Sequence, residues 1–239
     1  MKKRVIHEEI IYIVALFVVA FGVFLTARAN FGVEMVVAPS YILSQKLGIS
    51  FGDAERIVQA ILFIAAIIII RKFKAGYLFT AVTIYFYGQI LRCFEFFLIS
   101  DHPTNAFLKV FNPEPQQMVL RIILYTVGLL MIAFSIALFF RSYISPQSYE
   151  LFVLVIAKKW NFAQNKVKYA FDISILIVAV IMAFALFGGL KNGNQWLMGV
   201  GTVIAAFVNA PLITIFGRIM DKFFEYKPIF PKAKKHFDY

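Results

Sequence analysis

Five stretches of this chain, residues 10–27, 75–91, 122–140, 173–190 and 192–217, contain no Asp, Glu, Lys or Arg. Most approach the roughly 20 residues that carry a helix across a bilayer, and buried helices of a soluble core do not need so many of that length. Hydrophobic residues make up 61% of the 239 and charged residues only 15%, too few to coat a soluble globule of this size. Lipid offers no partner to backbone N–H and C=O groups, so the runs are expected as helices. The sequence therefore predicts an all-α, polytopic membrane helix bundle. Met1-Lys2-Lys3-Arg4 precedes the first run without a small-residue cleavage site after it, so that run is expected as a retained span.

The chain also repeats itself. Ile10–Arg28 laid on Ile123–Arg141, an offset of 113, matches at 8 of 19 positions without a gap. Apolar bias raises any such score, but it does not account for Tyr12 on Tyr125 or Arg28 on Arg141. The same offset sets Lys46 on Lys159, Glu55 on Lys168 and Gln59 on Asp172. Internal duplication is the ground plan of many secondary transporters, whose working site lies between the halves. The division expected is a first membrane repeat over 1–100, a connector over 101–116, a second repeat over 117–224 and a basic tail over 225–239.

Each half contains a piece too short to cross. Met35–Gln45 is charge-free for 11 residues and Leu151–Ala157 for 7, roughly 16 and 10 Å of helix against about 30 Å of hydrocarbon. Pro39 interrupts the first by removing a hydrogen-bond donor. Two arrangements fit: six spans plus two re-entrant helices in oppositely oriented repeats, or eight spans in parallel repeats. Lys and Arg counts do not separate them, placing 17 or 18 of 24 on the cytoplasmic side. Equivalent loops differ, however. Lys2, Lys3 and Arg4 are answered in the connector by Lys109 alone, and Arg71, Lys72 and Lys74 by Lys191 alone. Lys46 and Arg56 are offset by Asp53 and Glu55, whereas Lys158, Lys159, Lys166 and Lys168 are not offset. Basic in one half and not in the other is what inverted repeats show, with both termini cytoplasmic.

Polar residues inside such a bundle mark a site. Asn30-Phe-Gly32-Val-Glu34 and Ser145-Pro146-Gln147 read as starts of the two short helices. A helix N-terminus at membrane depth presents unpaired N–H groups and a positive dipole. Glu34 and Glu150 lie near those starts, Tyr149 adds a hydroxyl, Gln59 and Asp172 hold equivalent places in the third spans, and Asn209 precedes helix-disturbing Pro211. Glu34, Gln59, Tyr149, Glu150, Asp172 and Asn209 are the candidate substrate-binding residues. Each has an ordinary structural reading too: acids favoured by a helix dipole, an interfacial Lys168–Asp172 pair, a capped turn. Arg28 and Arg141 are expected to reach the interface, and Arg92 and Glu95, at i, i+3, to pair with each other.

Other chemistries are not encoded. One cysteine, Cys93, leaves no internal disulfide or thiolate cluster. His7, His102 and His236 are scattered outside the apolar runs, so neither a metal site nor a Ser/His/acid hydrolase is expected. No nucleotide-binding loop is present. The net charge of +11 is read as orientation signal facing anionic lipid, not as a nucleic-acid surface.

Ala29-Asn-Phe-Gly32, the run Lys46–Glu55, Tyr149-Glu150 with Lys168 and Asp172, and Gly201-Thr202 followed by Asn209-Ala-Pro211 together resemble the YczE/YyaS/YitT group of small bacterial integral membrane proteins. The chain departs from a Gly-x-Ser-Pro-Trp pattern of some members, having Gly32-Val-Glu34 and Ser145-Pro146-Gln147 instead. The resemblance implies the bacterial cytoplasmic membrane and a duplicated fold, and leaves chemistry open. The function expected is a small-solute or ion transporter without cofactor or enzymatic activity, its partners the bilayer and a small substrate, with self-association left open. The alternative is a non-transporting accessory or regulatory membrane protein that binds a protein partner.

Overall fold

The computed structural model describes residues 4–71, 76–99, 110–111, 113–144 and 147–231. Among them are eight helices: α1 (Glu8–Ala29), α2 (Ala38–Leu47), α3 (Phe51–Ile70), α4 (Gly76–Ile99), α5 (Met118–Phe139), α6 (Ser148–Lys159), α7 (Gln164–Phe187) and α8 (Val200–Phe223). Strand β1 (Arg4–His7) pairs in parallel with a later strand, Phe224–Lys227, and Lys191–Asn192 (β2) pairs antiparallel with Gln195–Trp196 (β3); the last strand is β4. The protein is an all-α helical bundle. Helices α1, α5, α7 and α8 are long and apolar enough to cross a membrane. In α3 the charges Asp53, Glu55 and Arg56 crowd the first two turns, and α4 carries Arg92 and Glu95 in its last.

The short pieces are helical, with ends shifted from the expected ones. Pro39 falls in the first turn of α2 instead of interrupting it, where its missing donor costs nothing. Helix α2 stops at Gly48 and α6 just before Asn161, both left-handed (φ +64° and +53°) and 113 positions apart. Helix α6 starts after Gln147; the expected cap, Ser145-Pro146, lies outside the described residues, as do Lys2, Lys3, Lys72, Lys74, His102, Lys109 and His236. Ser50 caps α3, accepting from the Asp53 N–H at 3.0 Å.

Helices α1 and α5 form the centre and run antiparallel. A Cβ added at Gly22 would lie 2.9 Å from the Gly128 carbonyl oxygen, and one at Gly128 2.8 Å from that of Gly22. Seven residues earlier on α1 and seven later on α5, Ser135 donates to the Ala15 carbonyl at 2.6 Å. Farther along, Arg121 donates to the Ala29 carbonyl at 2.9 Å. With no water to expel between helices in lipid, close packing of small residues is what holds such a pair.

Contacts elsewhere fall in corresponding pairs. Tyr12 of α1 meets Thr83 of α4, and Tyr125 of α5 donates to the Gly201 carbonyl of α8. Lys46, ending α2, donates to the Leu186 carbonyl in the last turn of α7 at 3.1 Å; Lys159, ending α6, donates to the Ile69 carbonyl in the last turn of α3 at 2.7 Å. Each lysine thereby supplies a proton donor and positive charge to a helix C-terminus, where carbonyls lack partners. Each short helix packs on the third helix of both halves.

Residues 4–8 and 223–227 share one end of the bundle, the near end, where α1 starts, α8 stops and β1 meets β4. At the far end the Asn30 side chain donates to the Asn194 carbonyl (2.9 Å) and accepts from the Trp196 N–H (2.6 Å), while the Gly201 N–H donates to the Phe31 carbonyl (2.8 Å). Replacing Gly128 with Leu should force α1 and α5 apart at a cost of about 1–3 kcal/mol. In a detergent thermal melt G128L is expected several degrees below wild type. V127L, on the exposed face of the same helix, should melt within a degree or so.

Candidate functional site

The chain leaves α1 at the far end and turns back beside α8. Thr202 donates to the Val33 carbonyl at 2.7 Å, and Asn209, near the middle of α8, donates to the Glu34 carboxylate. Helix α2 then begins and runs outward again. The second half does the same from the near end. The Tyr143 N–H donates to the Glu8 carboxylate at 3.0 Å, after which the chain turns inward to Gln147, where α6 begins. Neither Val37 nor Gln147 caps its helix with a side-chain hydrogen bond. The two helix starts line one cavity of about 50 Å³, together with Val19 and Val23 of α1 and Ile132 and Ile136 of α5. That places it beside the middle of α1 and the last third of α5, where Phe139 and Phe140 also line it.

Behind its polar wall stand corresponding i, i+4 pairs. On α3 Gln59 donates to the Glu55 carboxylate at 3.1 Å; on α7 Lys168 and Asp172 form an ion pair at 2.9 Å. Tyr149, 1% exposed, reaches across the halves and donates to Glu55 at 2.9 Å. Glu34, Glu150 and Lys168 face the cavity with Tyr87 of α4 and Gln147. Glu55 and Gln59 are fully buried. Among the described residues Oε2 of Glu150 is buried without a hydrogen-bond partner, while Oε2 of Glu55 has only Ser40 beside it and the Tyr87 hydroxyl only the Gln147 amide, neither in a well-formed bond.

The six residues picked from the sequence thus converge. Glu34, Tyr149 and Glu150 line the cavity; Asp172 stands one bond behind it, on Lys168, and Gln59 two bonds behind, through Glu55 and Tyr149; Asn209 holds Glu34. Four more belong to the site. Glu55 and Lys168 carry a signal, one helical turn before Gln59 and Asp172 and equivalent to each other at offset 113. Tyr87 and Gln147 carry none, because nothing in a Phe/Tyr-rich helix or a polar turn marks which side faces inward.

Other charges are structural. Arg28 donates to the Phe111 carbonyl at 3.0 Å, and Arg141 makes two 2.6 Å bonds to Asp221. The expected Arg92–Glu95 pairing is replaced. Glu95 accepts the Phe51 N–H at 2.9 Å, capping the start of α3, while Arg92 lies 3.6 Å from Asp53. A helix start offers two free N–H groups and a partial positive charge, a better partner for a carboxylate than an arginine half in solvent.

The site holds Glu34, Glu55, Glu150 and Asp172 against one lysine and two helix N-termini, each worth about half a positive charge. Burying the remaining negative charge is costly unless a proton or cation balances it. The cavity admits a few waters or one small ion, since each water occupies about 10–15 Å³ on this measure. Among the described residues no group of three or more His, Cys, Asp or Glu is placed to hold a metal ion.

No curated protein and no solved structure matches the chain. Its helices are those of an integral membrane protein, and residues 6–218 match a family of unknown function, DUF6198, to which the chain belongs.

Proposed function

We propose that this protein is a small-solute or ion transporter, its site the cavity between two inverted repeats, each of three spans and one re-entrant helix. The observation that carries the reading is the meeting of the α2 and α6 starts at one buried cavity, entered from opposite ends of the bundle. Antiparallel equivalent helices, short helices that pack on the other half, and polar groups that lipid alone would exclude support it.

The near end bears Arg4, Arg71, Arg141, Lys158, Lys159, Lys166, Arg218, Lys222 and Lys227 and the far end Arg28, Lys46, Arg56, Arg92, Arg121 and Lys191. Arg56 and Arg92 are offset there by Asp53, so the near end and both termini are assigned to the cytoplasm. The kinship suggested by the sequence motifs assigns the membrane as the bacterial cytoplasmic one. Access is from the near end: a broad recess lined by Arg141, Tyr143 and Asp221 is separated from the cavity by Phe140, which lines both. Moving one half against the other about Gly22 and Gly128 would open the far end, now held by Asn30.

Two measurements test this. In a Cys93→Ser background, Leu47→Cys and Trp160→Cys occupy equivalent exposed positions after the two short helices. A membrane-impermeant maleimide should label them from opposite sides; labelling from one side would establish parallel repeats. In a thermal-shift screen of purified protein against amino acids, vitamins, nucleobases and cations, at least one compound should stabilise wild type. Folded Glu150→Gln and Asp172→Asn variants should lose that response and Arg92→Gln should keep it. No response to any compound, with a protein that co-purifies in fixed ratio, would replace transport with the accessory reading.

A further inference from the structure

The species in the cavity is limited by what its walls leave unmatched. Glu150 leaves Oε2 without a partner, and the Tyr87 hydroxyl, on a side chain 1% exposed, has only the Gln147 amide beside it, without a well-formed bond. Gln147, 8% exposed, leaves Nε2 unmatched; rotating its amide by half a turn would present Oε1 instead. Glu34 faces the same cavity, one carboxylate oxygen held by Asn209. Buried polar groups left open in this way mark a missing ligand, and here they offer oxygen. Hard oxygen donors select hard cations.

Valence and size narrow the choice. A divalent ion wants several carboxylates, and no cluster of three acids, His or Cys is placed for one among the described residues. A monovalent ion is satisfied by one or two carboxylates with hydroxyl and amide oxygens. About 50 Å³ accommodates it with a water or two and excludes an amino acid or nucleobase. Lys168, already paired with Asp172 at 2.9 Å, cancels that acid, so Glu34 and Glu150 are the carboxylates at the cavity wall left to face a cation.

Resting on the transport reading above, we infer that the cavity binds a single monovalent cation of alkali or ammonium type, held by Glu34, Glu150, Tyr87 and Gln147. The cation supplies the positive charge that lets the two helix starts and their acids stay packed at the centre. It is the transported or coupled species of the same site.

The test is thermal stability of the full chain in detergent at fixed pH and ionic strength, in lithium, sodium, potassium or ammonium chloride against choline chloride. One small cation should raise Tm by about 3 °C or more over choline, with a saturable dependence on concentration. Tyr87→Phe, which keeps the ring, should move the half-saturating concentration up about tenfold or more. Glu150→Gln, if folded, should abolish the rise, and Asp221→Asn, outside the cavity, should retain it. Four cation curves that superimpose on choline in folded wild type would overturn the inference, as would a Tm that follows pH alone. If proteoliposomes nevertheless translocate another solute, transport stands and only the cation is wrong. If they translocate nothing and no cation stabilises the fold, both fail.

Discussion

The approach of α1 to α5 at Gly22 and Gly128 is the contact from which the rest of the bundle is hung. Each glycine sits where a Cβ would strike the other's carbonyl oxygen, so the backbones come as near as helices can. Because the crossing is antiparallel, the chain enters the second half from the opposite end. The connector after α1 turns inward from the far end and the connector after α5 from the near end. Both reach the middle of the central pair, and two short helices start at the same depth. A wider separation would leave those starts apart and the cavity between them open.

What fills the centre follows from the cost of charge there. Helix starts bring unpaired N–H groups and partial positive charge, which acids can answer. The halves answer unequally. At equivalent positions the first has Glu55 and Gln59, the second Lys168 and Asp172. Two copies of the Lys–Asp pair would close the site on itself. Two copies of Glu–Gln would leave more negative charge than a small cavity could balance. The mixed set leaves an excess of acid at the centre, which is what the proposed cation would balance.

Much of this was legible because the alignment at offset 113 singles out positions that composition leaves free. Tyr12 and Tyr125 stood out against apolar bias, and each ties its helix to the fourth helix of its own half. Lys46 and Lys159 aligned, and each closes the C-terminus of a third helix in the other half. Five of the six candidate residues were found because charge and amide groups are rare in membrane helices, and Tyr149 because its hydroxyl stands beside Glu150. Tyr87 escaped because eleven tyrosines share a largely apolar chain and only packing tells which one points inward. The fate of Glu95 escaped for a different reason. Its partner is the backbone at the start of α3, 44 residues away, and spacing along one helix says nothing about a neighbour of that kind.

The opposed direction of the two halves is tested most directly by disulfide formation between α1 and α5 in a Cys93→Ser background. Ser135 Oγ lies 2.6 Å from the Ala15 carbonyl, so Ala15→Cys with Ser135→Cys should be near the Cα separation a disulfide requires. Thr26 and Phe139, equivalent at offset 113, would meet if the halves ran parallel; here they are about 15 residues out of register, roughly 22 Å along the axis. Mild oxidation should cross-link Ala15→Cys/Ser135→Cys and leave Thr26→Cys/Phe139→Cys open. The reverse outcome would contradict the antiparallel core and the shared cavity that depends on it.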